Sequence, residues 1–411
     1  MTKLLITSFD LEIGGVERSL INMLKHFDYE HHQVDVMLYS HTGDLMSLLP
    51  DGVELLAESP AYRTFRMPIK QIFMSGHIRL GLTRLMAKGK VLFTRSAEKG
   101  YKQLQYMWRY ALPFLPSHDK SYDVAISYLW PHYFVAEKVQ ADVKIAWIHT
   151  DFSTVDTDVA ADMAMWQRYD HIIAVSEACR SAFVSKYPSL ENRVQVIENI
   201  TSPTLVRQLA NEQPDTPIFT DDRFKLVTVA RLSHAKGIDR AIQAFKQLQQ
   251  SGYHNLAWYV VGYGGDEEQL KTMIRDNRLD DAFILLGKQV NPYPYMKAAD
   301  LYVQPSRYEG KAVTVGEAQI LGKPVLITNY PTASSQIEDG VDGVICEQSV
   351  AGIVHGIQRL YDDHTLRKRI AAQANQRDYT NGHELEKLYA MMKRRVTDAD
   401  RRTGEYRRAG L

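Results

Sequence analysis

Short apolar runs alternate with amphipathic stretches from the first residues onward. Leu4 to Thr7, Val34 to Leu38, Val124 to Ser127, Val143 to Ile148, Ile172 to Val175 and Val194 to Ile197 have the length and composition of buried strands, and helical spacing fills the intervals. This rhythm predicts a parallel sheet with helices on both faces. It breaks at Thr201 to Phe224, where Pro203, Pro214 and Pro217 stand among polar residues. It resumes with Leu226 to Val229, Trp258 to Val261, Ile284 to Leu286, Leu301 to Val303 and Val325 to Thr328, so a linker and a second α/β domain are predicted. The expected division is 1–200, 201–378 and a charged helical tail, 379–411, packing back on the first domain.

Composition agrees: 411 residues exceed what one core organises, and 45% hydrophobic with 24% charged residues suits two ordinary cores. Cys179 and Cys346 are the only cysteines, far apart and without CxxC spacing, which argues against a disulfide framework or zinc site and fits a reducing compartment. Met1-Thr2-Lys3 leads directly into Leu4-Leu5-Ile6, too short a run for a signal peptide, and no stretch approaches a membrane span. A cytoplasmic, soluble or peripheral protein is expected.

Charge changes the picture. The chain balances 49 basic against 49 acidic residues, yet residues 61–110 hold eleven Lys or Arg and one acid, Glu98. The cations interleave with apolar side chains such as Phe65, Ile72, Leu80, Leu82, Leu85, Met86, Phe93 and Trp108, the composition of a basic helical insertion lying on an anionic membrane. RNA or another polyanion would compete, and a hairpin with a solvated basic face is the plain alternative. No RNP, KH or helix-turn-helix pattern accompanies the segment, so no nucleic acid is expected.

The most informative segment runs from Gln304-Pro305-Ser306 through Glu309-Gly310-Lys311-Ala312-Val313-Thr314 to Glu317, leaving one strand and opening a helix near Val313. Ligands bind at such strand ends. Free amides around Lys311, Ala312, Val313 and Thr314 suit the distal phosphate of a diphosphate, with Gly310 allowing close approach. Glu317, a turn further in, suits two ribose hydroxyls, and Glu309, at the loop edge, a sugar hydroxyl. In isolation this spacing is more often a helix cap and a surface pair; its setting strengthens it. Arg231 and Lys236, in Arg231-Leu232-Ser233-His234-Ala235-Lys236-Gly237 at another strand end, would meet the same diphosphate, though either alone reads equally as a solvated loop cation. Gly262, within Val261-Gly262-Tyr263-Gly264-Gly265, reads as a turn shaping the cleft wall, and Gly287-Lys288-Gln289 as a lining for the base.

From the first domain, Gly14 and Gly15, in Glu12-Ile13-Gly14-Gly15-Val16-Glu17-Arg18, form a turn into a helix that can touch phosphate or acceptor or simply be tight. His149 ends a core strand and can bond a sugar hydroxyl or a phosphate; Asn199 reads as a turn residue at the domain junction. Asp156-Thr157-Asp158 and Asp398-Ala399-Asp400 match a DxD metal pattern, but neither follows a strand, so no metal and no cofactor is assigned.

Taken in order, Gly14-Gly15-Val16-Glu17, Arg231 with Lys236-Gly237, Val261-Gly262-x-Gly264, and Glu309-Gly310 with Glu317 resemble the large family 4 of retaining GT-B glycosyltransferases across nearly the whole chain. The resemblance implies two Rossmann-like domains facing across a cleft, a metal-independent enzyme, a nucleotide-sugar donor held mainly by the second domain and an acceptor held by the first. It places Glu309, Arg231, Lys236 and His149 at the chemistry. The usual Glu-Gly-Phe-Gly is Glu309-Gly310-Lys311-Ala312 here, and a customary Gly-Gly pair is replaced by Ala333-Ser334-Ser335-Gln336. Tyr330-Pro331-Thr332 and Ser335-Gln336-Ile337 are similar to transferases of cell-surface polysaccharides, with a UDP-sugar donor and a glycan, polyol-phosphate or lipid-linked acceptor. The rivals are a sugar-nucleotide epimerase or hydrolase on the same scaffold, and a non-catalytic sugar-nucleotide-binding subunit.

Overall fold

The computed structural model describes residues 1–92, 99–214, 216–379 and 381–393. Its first sheet contains β1 (Thr2–Ser8), β2 (His32–Leu38), β3 (Val53–Leu55), β4 (Ser121–Ser127), β5 (Gln140–Ile148), β6 (His171–Ala174) and β7 (Val194–Val196). The second contains β8 (Phe224–Val229), β9 (Leu256–Val261), β10 (Phe283–Gly287), β11 (Leu301–Gln304), β12 (Val325–Thr328) and β13 (Val344–Cys346). Both are parallel throughout, ordered β3-β2-β1-β4-β5-β6-β7 and β10-β9-β8-β11-β12-β13. Each therefore reverses direction beside its own first strand, between β1 and β4 and between β8 and β11, which opens a crevice at the carboxyl ends there.

The apolar runs become strands because each is buried on both faces. Along β9, Trp258 and Val260 enter one core layer while Ala257, Tyr259 and Val261 enter the layer on the opposite face. β3 and β13 lie at sheet edges, three residues each, and the apolar pattern did not mark them. The proline-rich stretch predicted as linker holds a helix, Pro203–Leu209, with Pro203 in its first turn and Val206 packed into the second lobe. At the other end, Leu385, Leu388, Met391 and Met392 of helix Glu384–Met392 sit in the first lobe's core. The two crossings between lobes are pinned together: Asn381 Nδ2 donates to Asn199 O at 2.8 Å, Thr201 N to Asn381 Oδ1 at 2.9 Å, and Glu198 N to Glu384 Oε2 at 3.0 Å.

The insertion is less of an appendage than its composition suggested. Phe65, Ile72, Leu80, Val91, Met107 and Trp108 are buried in the first lobe, with the Phe65 ring stacked on Trp108 at 4.1 Å. Several of its cations are paired with acids from elsewhere, among them Arg66 with Asp10 at 2.6 Å, Lys102 with Asp156 at 2.9 Å and Arg109 with Asp158 at 3.4 Å. Arg84, expected on the basic face, instead turns inward: Nη2 donates to Thr64 O at 2.6 Å, the guanidinium lies 5.0 Å over Phe65, and burial pushes its pKa down to about 10. Among the described residues, what remains outside is chiefly the outer face of one helix, Ile78–Leu92. Ile78, Leu82, Leu85, Met86 and Leu92 fall on its exposed face at helical spacing, bordered by exposed Arg79, Lys88 and Lys90. Phe93 and Glu98 lie outside the described residues, as do Asp398 to Asp400.

Candidate active site

A cleft of about 600 Å³ separates the lobes where the two switch points face each other. It is lined from the first lobe by Gly14, Gly15 and His149, and from the second by Arg231, Lys236, Gly262, Glu309 and Glu317 together with Gly310, Lys311, Ala312, Val313 and Thr314. These thirteen candidates for the donor and the chemistry thus line one cavity, although they come from five separate loops and helix ends.

Glu309 is the best-anchored of them. It is 7% exposed and not at the loop edge as predicted. Its Oε1 accepts from Ser306 Oγ at 2.6 Å, Gln304 Nε2 at 3.0 Å and Lys236 Nζ at 2.7 Å, while Oε2 accepts from Lys236 at 2.6 Å. Gln304 is itself met at 2.5 Å by the Tyr302 hydroxyl, which also lies 2.8 Å from Thr314 Oγ1. A network of this kind fixes a carboxylate's direction more firmly than one bond can. The loop bearing Lys236 is braced against the Glu309 loop by Arg307, which grips both oxygens of Asp239 at 2.7 and 2.6 Å. Arg231 differs: it is exposed in the cleft, and no hydrogen bond or ion pair holds it among the described residues.

Gly262 follows β9 with φ at 151°, and a Cβ there would lie 1.9 Å from Ala230 O, so only glycine lets the two loops touch. Gly310 meets a similar limit across the cleft, since a Cβ would lie 2.3 Å from His149 O of the other lobe. Lys311 Nζ also crosses, to Glu198 Oε2 at 2.7 Å. The amide of Ala312 is not free as expected: it donates to Gln336 Oε1 at 3.0 Å while Gln336 Nε2 returns a bond to Ala312 O at 2.9 Å. Gln336 therefore clamps the entry to helix Val313–Ile320, and of the four amides those of Lys311, Val313 and Thr314 are left without partners among the described residues.

Glu317 is fully buried, accepting from Tyr293 at 2.8 Å, and burial raises its pKa against the opposing effects of Arg18 and Tyr293. Nothing in the sequence pairs Arg18, at the end of the glycine turn, or Tyr293 with Glu317, since they stand 299 and 24 positions away from it. On the first-lobe side, the His149 ring stacks on Trp147 and packs against Tyr128, its Nε2 has no partner, and burial pushes its pKa down to about 3, so the ring is neutral at pH 7. Glu17 is buried on the cleft wall, and desolvation raises its carboxyl to about 7. Asn199 accepts from Ser19 Oγ at 2.7 Å and fixes the junction. Of the DxD candidates, Asp156 binds Lys102, and Asp158 caps helix Val159–Trp166. Among the described residues no cluster of three His, Cys, Asp or Glu is placed to hold a metal, and no helix is long and apolar enough to cross a membrane.

Residues 211–377 match the family of glycosyl transferases group 1. The chain is 30% identical over 171 residues, 41% of its length, to an uncharacterized glycosyltransferase (MJ1059) of Methanocaldococcus jannaschii, and 33% over 135 residues, 31% of its length, to the amylovoran biosynthesis glycosyltransferase AmsK of Erwinia amylovora. These matches span 42% and 33% of the two relatives, less than half of either. In structure it is similar to Anabaena Alr3699/HepE, solved in complex with UDP-glucose, with a TM-score of 0.66 at 19% identity over 95% of this chain and 100% of that one. Residues 211–377 thus form a glycosyl transferases group 1 domain, in a chain whose two facing parallel-sheet lobes have the GT-B fold.

Proposed function

We propose that this protein is a retaining, metal-independent glycosyltransferase that moves a sugar from a UDP-sugar to a glycan, polyol-phosphate or lipid-linked acceptor at the cytoplasmic face of a membrane. The observation that carries the reading is the convergence of Arg231, Lys236, Glu309, Glu317 and the helix end at Val313 and Thr314 on one interlobe cleft. The leaving nucleoside diphosphate gains charge as its bond to the sugar breaks. Arg231, the third N–H of Lys236 and the amides of Val313 and Thr314 meet that charge more strongly in the transition state than in the ground state. Glu309, aimed by Ser306 and Gln304, holds a sugar hydroxyl; neutral His149 bonds another or the acceptor. The acceptor hydroxyl attacks the anomeric carbon from the face the diphosphate leaves, the carbon–phosphate-oxygen bond breaks, and the acceptor's proton passes to the departing phosphate oxygen. No protein nucleophile is required. A UDP-sugar is favoured because the similar Anabaena protein holds UDP-glucose.

A thermal-shift screen of nucleotide sugars against the wild type and Glu317→Ala tests the donor site. A donor raising the wild-type melting temperature and leaving that of Glu317→Ala unmoved supports it; equal shifts, or none with any donor, count against it. With the stabilising donor, transfer to an added acceptor separates this reading from a hydrolase, which would release free sugar.

The membrane side rests on helix Ile78–Leu92, whose outward stripe of Ile78, Leu82, Leu85 and Met86 lies between cations. Reversing Arg79, Lys88 and Lys90 to glutamate should weaken sedimentation with phosphatidylglycerol vesicles by at least about 100-fold, at on the order of 1 kcal/mol per cation. Unchanged binding would discard the membrane role. The buried, unpaired thiols of Cys179 and Cys346 agree with a cytoplasmic setting.

A further inference from the structure

Arg18 reaches across the cleft from helix Gly15–Lys25 of the first lobe, and second-lobe groups hold it there. Its Nη2 donates to Val290 O at 3.1 Å, and its guanidinium lies 5.4 Å over the Tyr293 ring. Tyr293 donates to Glu317 Oε1, so one tyrosine orients both charged groups. Their remaining atoms face each other without bonding. Arg18 Nη1 and Glu317 Oε2 are 3.8 Å apart, the side chains are 10% and 0% exposed, and neither atom has a hydrogen-bond partner. That separation is too long for a hydrogen bond, and a buried charged pair left partly unsatisfied is costly.

We propose that Arg18 is the first lobe's half of a nucleoside site, its guanidinium and the Glu317 carboxylate together taking the ribose hydroxyls of the donor, so that the nucleotide itself draws the lobes together. The inference rests on the donor reading above, in which Glu317 faces the ribose. A hydroxyl set beside the gap can lie about 2.8 Å from both atoms, donating to Oε2 and accepting from Nη1. It supplies the bonds that each charge lacks. Both atoms are shut off from water with the lobes in this arrangement, so a ribose reaches them only with the lobes parted, and binding is coupled to closure. Of the other cations lining the cleft, Arg231 and Lys236 are assigned to the diphosphate, while Arg66, Lys288 and Lys311 are held by Asp10, by Glu12 and Asp44, and by Glu198, so none substitutes for Arg18.

The test is titration calorimetry of wild type, Arg18→Gln and Arg18→Lys with UDP and with 2′,3′-dideoxyuridine diphosphate; if the wild type prefers another base, the matching ribose and dideoxyribose diphosphates of that base are used. Arg18→Gln should weaken UDP binding about 10- to 100-fold and binding of the dideoxy compound by less than about threefold. Arg18→Lys, which keeps the charge, should recover part of the loss. Small-angle scattering should show wild type compacting with UDP and Arg18→Gln failing to do so. Equal losses for both nucleotides, or UDP binding by Arg18→Gln as tight as wild type, overturn the inference and leave Arg18 a tie between lobes. Glu317→Gln distinguishes the underlying reading: if it binds UDP as wild type does, the ribose assignment of Glu317 fails and this inference with it. If it binds weakly while Arg18→Gln binds normally, only the role of Arg18 fails.

Discussion

Arg231→Ala should lower transfer turnover by about 10²- to 10³-fold, the cost of removing one preorganised donor from a developing negative charge, while thermal unfolding stays where it was. Arg231 makes this a clean experiment because it is exposed in the cleft and bonded to nothing among the described residues, so its removal leaves no group stranded. Lys236→Ala should lose a similar factor in turnover and destabilise the protein as well. Glu309, 7% exposed, would keep only Ser306 and Gln304 as donors. The cost stays below the ~3 to 5 kcal/mol of a fully buried pair, since the Lys236 side chain is 26% exposed. Adding Glu309→Gln to Lys236→Ala should restore the melting temperature but not the activity. Turnover numbers and melting curves of the three variants decide the matter; an Arg231→Ala enzyme within about threefold of wild type removes Arg231 from the chemistry.

Gly310→Ala is the second large effect, and it acts through shape. The added carbon would lie 2.3 Å from His149 O and 2.9 Å from His149 C, backbone atoms of the opposite lobe that no rotamer change can clear. The lobes must stand further apart, which draws His149 and Gly14 away from Glu309 and Lys236. Misplacement on the order of 1 Å costs roughly 10²-fold in rate, so kcat/KM should fall by about that factor. Each lobe keeps its own core, so melting should change little. Kinetics with small-angle scattering of the free and UDP-bound variant would show it; a closed, fully active Gly310→Ala enzyme contradicts the close approach.

The fold was legible in the sequence wherever burial on both strand faces made an apolar run. β3 and β13, three-residue edge strands, escaped, whereas β7, equally short and also at an edge, was marked by the apolar run Val194 to Ile197. Glu309, Arg231 and Lys236 were legible as strand-end residues, but their pairing was not: Lys236 and Glu309 are 73 positions apart, and only the β8 to β11 adjacency brings them together. Gln336 carried no signal for its grip on Ala312, since a backbone clamp has no composition. The insertion was misjudged in part because charge was counted along the chain, whereas Asp10, Asp156 and Asp158 return to meet its cations in space.

The paired crossings at Asn199 and Asn381 have a mechanical corollary. Two covalent straps fastened side by side behave like the leaves of one door hinge: swivelling or sliding of either lobe would tear Asn381 from Asn199 and Thr201, whereas rocking about the line through them need not. Atoms beside that axis barely travel during a swing, and those at the far rim sweep the widest arc.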